Sequence, residues 1–116
     1  ILGLSYSRIK MKDEAVDFYN QALSIRPNSI NVLHSIAILY DEMGEWIKSD
    51  KIYDQLIKNN DLDAQAFNNY AYSLVERNMD LDRALVYAKK AVDLEPKNPS
   101  YLDTIGWVYF KMNSYK

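Results

Sequence analysis

The sequence contains no cysteine and only one histidine among its 116 residues. The lack of cysteine excludes disulfides and thiolate metal sites, although it does not distinguish a cytoplasmic from a periplasmic protein. Neither a His-Glu-x-x-His motif nor a glycine-rich phosphate loop is present. No cofactor or metal is therefore expected.

The sequence also has little excess charge of either sign. The 14 basic and 16 acidic residues nearly cancel, and no run of Lys or Arg could follow a phosphate backbone. Nucleic acid is therefore not an expected partner. No apolar run is long enough to span a bilayer, and the first residues lack the basic and then apolar pattern of a signal peptide.

A repeat of 34 residues is the main feature that is present. Small residues recur at this interval, with one extra residue before the last: Gly3, Ala37, Ala71 and Gly106. Tyr6, Tyr40 and Tyr109 follow three of them at the same offset. Small residues allow helices to approach closely, and large ones fill the space beside them, so the period predicts stacked helical units.

The pattern Leu2-Gly3, Tyr6, Ala15, Tyr19, Ala22 and Pro27 resembles the tetratricopeptide repeat. Departures occur at Ser49, Asp61 and Ala88, but none of them breaks the period. The resemblance implies an all-α fold, a right-handed α-solenoid of helix-turn-helix units with about seven helices.

The period divides the chain into a partial repeat (1–29), two full repeats (30–63 and 64–98) and a second partial repeat (99–116). Ile1 falls inside a first helix and Lys116 near the start of a second helix. We therefore expect a single array that is a fragment of a longer one.

Local signals predict the turns between helices. Met11-Lys12 is the expected turn of the first repeat, and Gly44 suits left-handed backbone geometry in the second. The extra residue of the third repeat most simply lengthens the turn around 78–81. Asn98 is the expected N-cap of the last helix, with Pro99 at its first position.

The resemblance further implies that the first helix of each unit lines a concave surface that binds peptides or partner segments. One residue after each small residue comes a large apolar one: Leu4, Ile38, Tyr72 and Trp107. Polar residues flank this series at helical spacing, namely His34, Asp41, Asn68 and Asp103. We predict that these eight residues form the partner-binding surface. The alternative is that the apolar series packs on the next repeat.

Catalysis has little support. His34 and Asp41 lie seven residues apart on one helical face, which could begin a base or metal site, but no further group accompanies them. The sequence therefore favours a protein interaction scaffold and not an enzyme. A regulatory or substrate-recruiting domain of a larger enzyme is the alternative.

Two further expectations concern partners. Some tetratricopeptide domains hold the C-terminal carboxylate of chaperone peptides with Lys, Asn and Arg, but the matching positions here have no basic residue: Leu4, Ser35, Gln65 and Asn69. Acidic chaperone tails are thus not expected to bind. The last helix has no following helix in this sequence, so we expect self-association through an exposed apolar face, to which Tyr115 adds.

Overall fold

The computed structural model describes the backbone of residues 2–114 and the side chains of residues 8–114. This part of the chain has no strand and six helices. The helices are α1 (Leu2–Ile25), α2 (Ile30–Glu42), α3 (Trp46–Asn59), α4 (Ala64–Glu76), α5 (Leu81–Leu94) and α6 (Pro99–Ser114). The predicted all-α, helical-repeat fold class is confirmed.

The first repeat differs from the prediction because the turn expected at Met11-Lys12 is absent. α1 continues through it for 24 residues, which leaves six helices and not seven in the described range. Met and Lys are good helix formers, and no Gly, Asn or Pro interrupts the helix there. Asp13 and Glu14, which would have begun a second helix after that turn, lie inside α1.

The two later turns contain residues with left-handed backbone geometry. Gly44 has a φ of +74° between α2 and α3, as predicted. Asn78 and Asp80 both have a φ of +50° between α4 and α5, a region that Asn and Asp tolerate better than most residues. Residues 77–80 separate α4 from α5, whereas 43–45 separate α2 from α3, so the extra residue does lengthen the turn.

Side-chain oxygens cap three helices. Asp63 accepts a hydrogen bond from the backbone N–H of Ala66 at 3.0 Å at the start of α4. At α5, Asp80 does the same for the backbone N–H of Arg83 at 3.3 Å. Asn98 Oδ1 accepts from the backbone N–H of Ser100 at 3.0 Å, and α6 begins at Pro99 as predicted. Each cap satisfies a backbone donor that the helix itself leaves unpaired.

The chain divides into two compact units, residues 1–52 and 53–116, with the boundary inside α3. In the first unit α1 packs against α2, and Lys12 Nζ lies 3.7 Å from a carboxylate oxygen of Glu42. The inner face of α2 is buried at Leu33, Ile36, Ala37 and Tyr40.

In the second unit α4, α5 and α6 pack on one another. α5 contributes a face of alanines, Ala84, Ala88 and Ala91, all with no exposed surface. α4 contributes the larger side chains Phe67, Tyr70 and Leu74. Small residues opposite large ones allow the close helix packing that the period predicted. The repeat boundaries themselves stay a prediction.

Three tyrosines spaced 17 residues apart stack in this unit. The ring centroids of Tyr53 and Tyr70 are 5.1 Å apart, and those of Tyr70 and Tyr87 are 5.0 Å apart. Their interplanar angles are 21° and 27°. Stacked aromatic pairs contribute about 0.5–1.5 kcal/mol beyond the area they bury, so the series links α3, α4 and α5.

Candidate functional site

A groove of about 580 Å³ in the second unit is lined by side chains of α4 and α6. Helical spacing explains which residues reach it, because positions three or four apart share a face. The residues that line the groove are Asn68, Asn69, Tyr72 and Glu76 on α4, and Ser100, Asp103, Thr104 and Trp107 on α6. We call this set the α4/α6 groove.

Two aromatic side chains line the groove, and they differ in their surroundings. Tyr72 is 50% exposed. Trp107 is only partly exposed. Its ring stacks on Phe110 at 5.5 Å with an interplanar angle of 6°. The ammonium of Lys111 lies 4.9 Å from the Trp107 ring centroid. The Trp107 ring is therefore held by its own helix, and Tyr72 is the more accessible ring.

The polar residues of the groove are only partly satisfied. Asn68 is 9% exposed, and its Nδ2 donates to Asn69 Oδ1 at 3.5 Å, while its Oδ1 is buried without a hydrogen-bond partner. The indole Nε1 of Trp107 is likewise buried without a partner. By contrast, Thr104 Oγ1 donates to the backbone carbonyl of Ser100 at 3.0 Å. Buried groups without partners are rare in proteins and call for an explanation.

Negative charge dominates the groove. Its ionisable side chains include the carboxylates of Glu76 and Asp103, whereas no Lys or Arg lines it. The charge of Glu76 raises the pKa of the Tyr72 phenol above its ordinary value, and burial and a hydrogen bond between the two side chains act in the same direction.

The predicted surface residues of the first unit differ in how accessible they are. Ile38 lines a groove of about 300 Å³ between α1 and α2, together with Ala15, Tyr19, Ser35, Leu39 and Glu42. His34 is buried and Asp41 is half-buried. The side chain of His34, which was predicted to belong to the partner-binding surface, is thus mostly inaccessible. The side chain of Leu4 lies outside the described residues.

The structure brings four predicted residues together in the α4/α6 groove: Asn68, Tyr72, Asp103 and Trp107. Sequence reasoning missed Glu76, Ser100 and Thr104 and did not assign Asn69 to the surface. Glu76 follows Tyr72 by four residues, a spacing that would have found it. Val75, three residues after Tyr72, is fully buried and does not reach the groove.

The described residues contain neither a candidate metal site nor a helix able to span a membrane. Within them, no three His, Asp or Glu side chains come together as a group able to hold a metal ion. None of the helices in residues 2–114 has the length and apolar character needed to cross a membrane.

The described residues form packed helices joined by short turns, which is the architecture of a helical-repeat protein. A family model described as tetratricopeptide repeat matches residues 1–29. The chain is 27% identical over 124 residues to the human Cell division cycle protein 16 homolog, covering 99% of this chain and 20% of that protein. It is also 27% identical over 106 residues to the BBSome complex member BBS4 of Bos taurus, covering 88% and 19% respectively.

A TPR repeat-containing protein of Pseudomonas aeruginosa is 24% identical over 100 residues, covering 86% of this chain and 17% of that protein. These matches support the resemblance of the chain to the tetratricopeptide repeat family. The chain spans about a fifth of the length of each of these three relatives. The similarity to these proteins supports a helical-repeat role in protein–protein interaction.

Proposed function

We propose that this chain is an interaction scaffold that binds a peptide or partner segment in the α4/α6 groove. The observation that carries the proposal is the meeting of Asn68, Tyr72, Asp103 and Trp107 in one groove of about 580 Å³. Tyr72 supplies an accessible apolar ring, and Asn68 and Asp103 supply acceptors for backbone or side-chain donors. In the first unit, we propose that Ile38, which lines the groove between α1 and α2, contacts a partner. The predicted residues Leu4, His34 and Asp41 are proposed as further contacts of that unit.

The chemistry of the groove supports a protein partner over nucleic acid. Phosphate backbones are bound by Lys and Arg, and the lining of the α4/α6 groove contains two carboxylates and neither of these residues. An aromatic ring surrounded by polar groups is a common anchor in protein interfaces.

The test is a binding measurement on variants with a matched control. Peptides selected from a random library by this chain are titrated against the wild type, Tyr72→Ala and Trp107→Ala. We expect each variant to weaken binding at least about thirtyfold, because truncating a buried aromatic anchor costs about 2 kcal/mol or more. Phe18→Ala is the control, because Phe18 is 68% exposed on α1 and does not line the groove.

Melting temperatures separate binding from stability. We expect Tyr72→Ala to melt close to the wild type, because the small-residue contacts of α4 and α5 are unchanged. The proposal is wrong if Tyr72→Ala unfolds the chain without a separable loss of binding, or if Phe18→Ala weakens binding equally.

A second surface supports self-association. Leu102, Gly106 and Tyr109 on α6 are exposed, whereas the residues at the same repeat positions of α4, Phe67, Ala71 and Leu74, are buried. In α4 this face packs in the second unit beside α5. We propose that α6 of a second copy covers the exposed face in a symmetric contact.

A further inference from the structure

Hydrogen-bond acceptors dominate the α4/α6 groove. Asp103 and Glu76 contribute carboxylates from opposite helices, and neither Lys nor Arg lines the groove. Lys111 is close by, with its ammonium 4.9 Å from the Trp107 ring centroid. It is not among the residues that line the groove. A bound group that carries positive charge would therefore be favoured over an acidic or phosphorylated one.

Asn68 indicates independently that the groove requires a donor. The side chain is 9% exposed and lines the groove, and its Oδ1 has no hydrogen-bond partner. Its Nδ2 makes only a long contact of 3.5 Å with Asn69. A buried carbonyl without a donor is unfavourable, and a donor from a ligand would remove that cost.

Tyr72 provides an aromatic face on which a cationic side chain can lie. Half of its surface is exposed. Glu76 lies close enough for its charge to raise the pKa of the Tyr72 phenol. The ring of Trp107 already lies under the ammonium of Lys111 and against Phe110. Tyr72 is therefore the groove ring that remains accessible to a cation.

From these contacts we infer that the α4/α6 groove binds an arginine side chain of the partner segment. The inference rests on the proposed function and specifies its ligand. A guanidinium has five donors in a plane, so it can donate to Asp103 and Asn68 while its flat face lies on Tyr72. Lysine has a compact ammonium without a flat face, so arginine is preferred.

The experiment uses three short peptides that differ at one position. Each has leucine at both ends and serine spacers, with arginine, citrulline or glutamate at the centre. Citrulline keeps the shape of arginine and removes its charge. Titration of the ¹⁵N-labelled chain is followed by NMR at the Trp107 indole and the Asn68 side-chain amide. The indole of Trp46, which lies in the other unit, is the internal control.

We expect the arginine peptide to bind about tenfold more tightly than the citrulline peptide, and the glutamate peptide to bind least, because charge-assisted hydrogen bonds are lost. Asp103→Asn should weaken arginine binding about tenfold. Asp93→Asn makes the same charge change at an exposed site on α5 and should alter binding by less than about twofold.

Two other outcomes are distinguishable. If all three peptides shift the Trp107 and Asn68 signals with equal affinity, the arginine preference is wrong while the groove still binds peptides. If none of the peptides shifts these signals, both the inference and the proposed function are wrong.

Discussion

At the scale of single residues, Arg83 connects the tyrosines of the second unit. Its Nη2 donates to the Tyr70 hydroxyl at 3.1 Å, and its guanidinium carbon lies 5.1 Å from the Tyr70 ring centroid and 5.9 Å from that of Tyr87. Its Nε lies 3.4 Å from a carboxylate oxygen of Asp80. One side chain thus joins the cap of α5 to the aromatic stack.

The raised pKa of the Tyr87 phenol predicts that the free energy of unfolding falls in alkali. Burial raises the pKa of the Tyr87 phenol above its ordinary value, and the charges of Asp54 and Asp80 add to this while Arg83 opposes it. Because the folded pKa is the higher one, this stabilisation is complete below about pH 10 and is lost as the pH rises through the folded pKa.

Urea unfolding between about pH 8 and pH 11 would measure this effect. We expect the unfolding free energy of the wild type to fall more steeply above about pH 10 than that of Tyr87→Phe, which keeps the ring but lacks the phenol. Parallel curves for the two proteins would show that Tyr87 does not contribute.

At the scale of helices and turns, two glycines have opposite roles. Gly106 lies inside α6, where a Cβ would meet no atom within 4 Å. Gly44 also has free space around it, but its φ is +74°. The two positions therefore differ in backbone geometry and not in crowding, so the same substitution has different consequences.

We predict that Gly106→Ala stabilises the chain by about 0.5–1 kcal/mol, because alanine is the better helix former. Gly44→Ala should destabilise it by about 1–2 kcal/mol, because an L residue is strained in the left-handed region. Chemical denaturation of both variants checks the pair. A loss of stability in Gly106→Ala would mean that something packs closely against α6.

At the scale of the whole molecule, the exposed face of α6 is the surface through which we propose that two copies associate. We predict that the chain self-associates at high concentration through Leu102, Gly106 and Tyr109. Light scattering should report a mass that increases with concentration. Tyr109→Glu should shift the molecule towards monomer, because a carboxylate in an apolar contact loses its hydration.

Phe18→Glu is a suitable control for this measurement, because Phe18 is also strongly exposed but lies on α1. It should leave the association unchanged. A clean monomer at millimolar concentration in the wild type would show instead that α6 covers the end of the array by itself.

The sequence alone determined the turn at Gly44, the longer turn around 78–81 and the start of the last helix at Asn98 and Pro99. These features depend on contacts between residues up to four positions apart, such as the cap at Asn98 and the left-handed turn at Gly44. The prediction for α1 was wrong because the repeat pattern implied a turn at Met11-Lys12, whereas the local residues favour a continuous helix.

Only the tertiary structure decided which predicted residues meet. Tyr72 and Trp107 are 35 positions apart, and their common groove depends on how α4 and α6 pack. The same packing buries Asn68 without a partner for its Oδ1 and brings Glu76 to the groove beside Asp103. Burial and charge at a site are sums over neighbours from several helices, so a periodic pattern indicates the face of a helix but not its chemical surroundings.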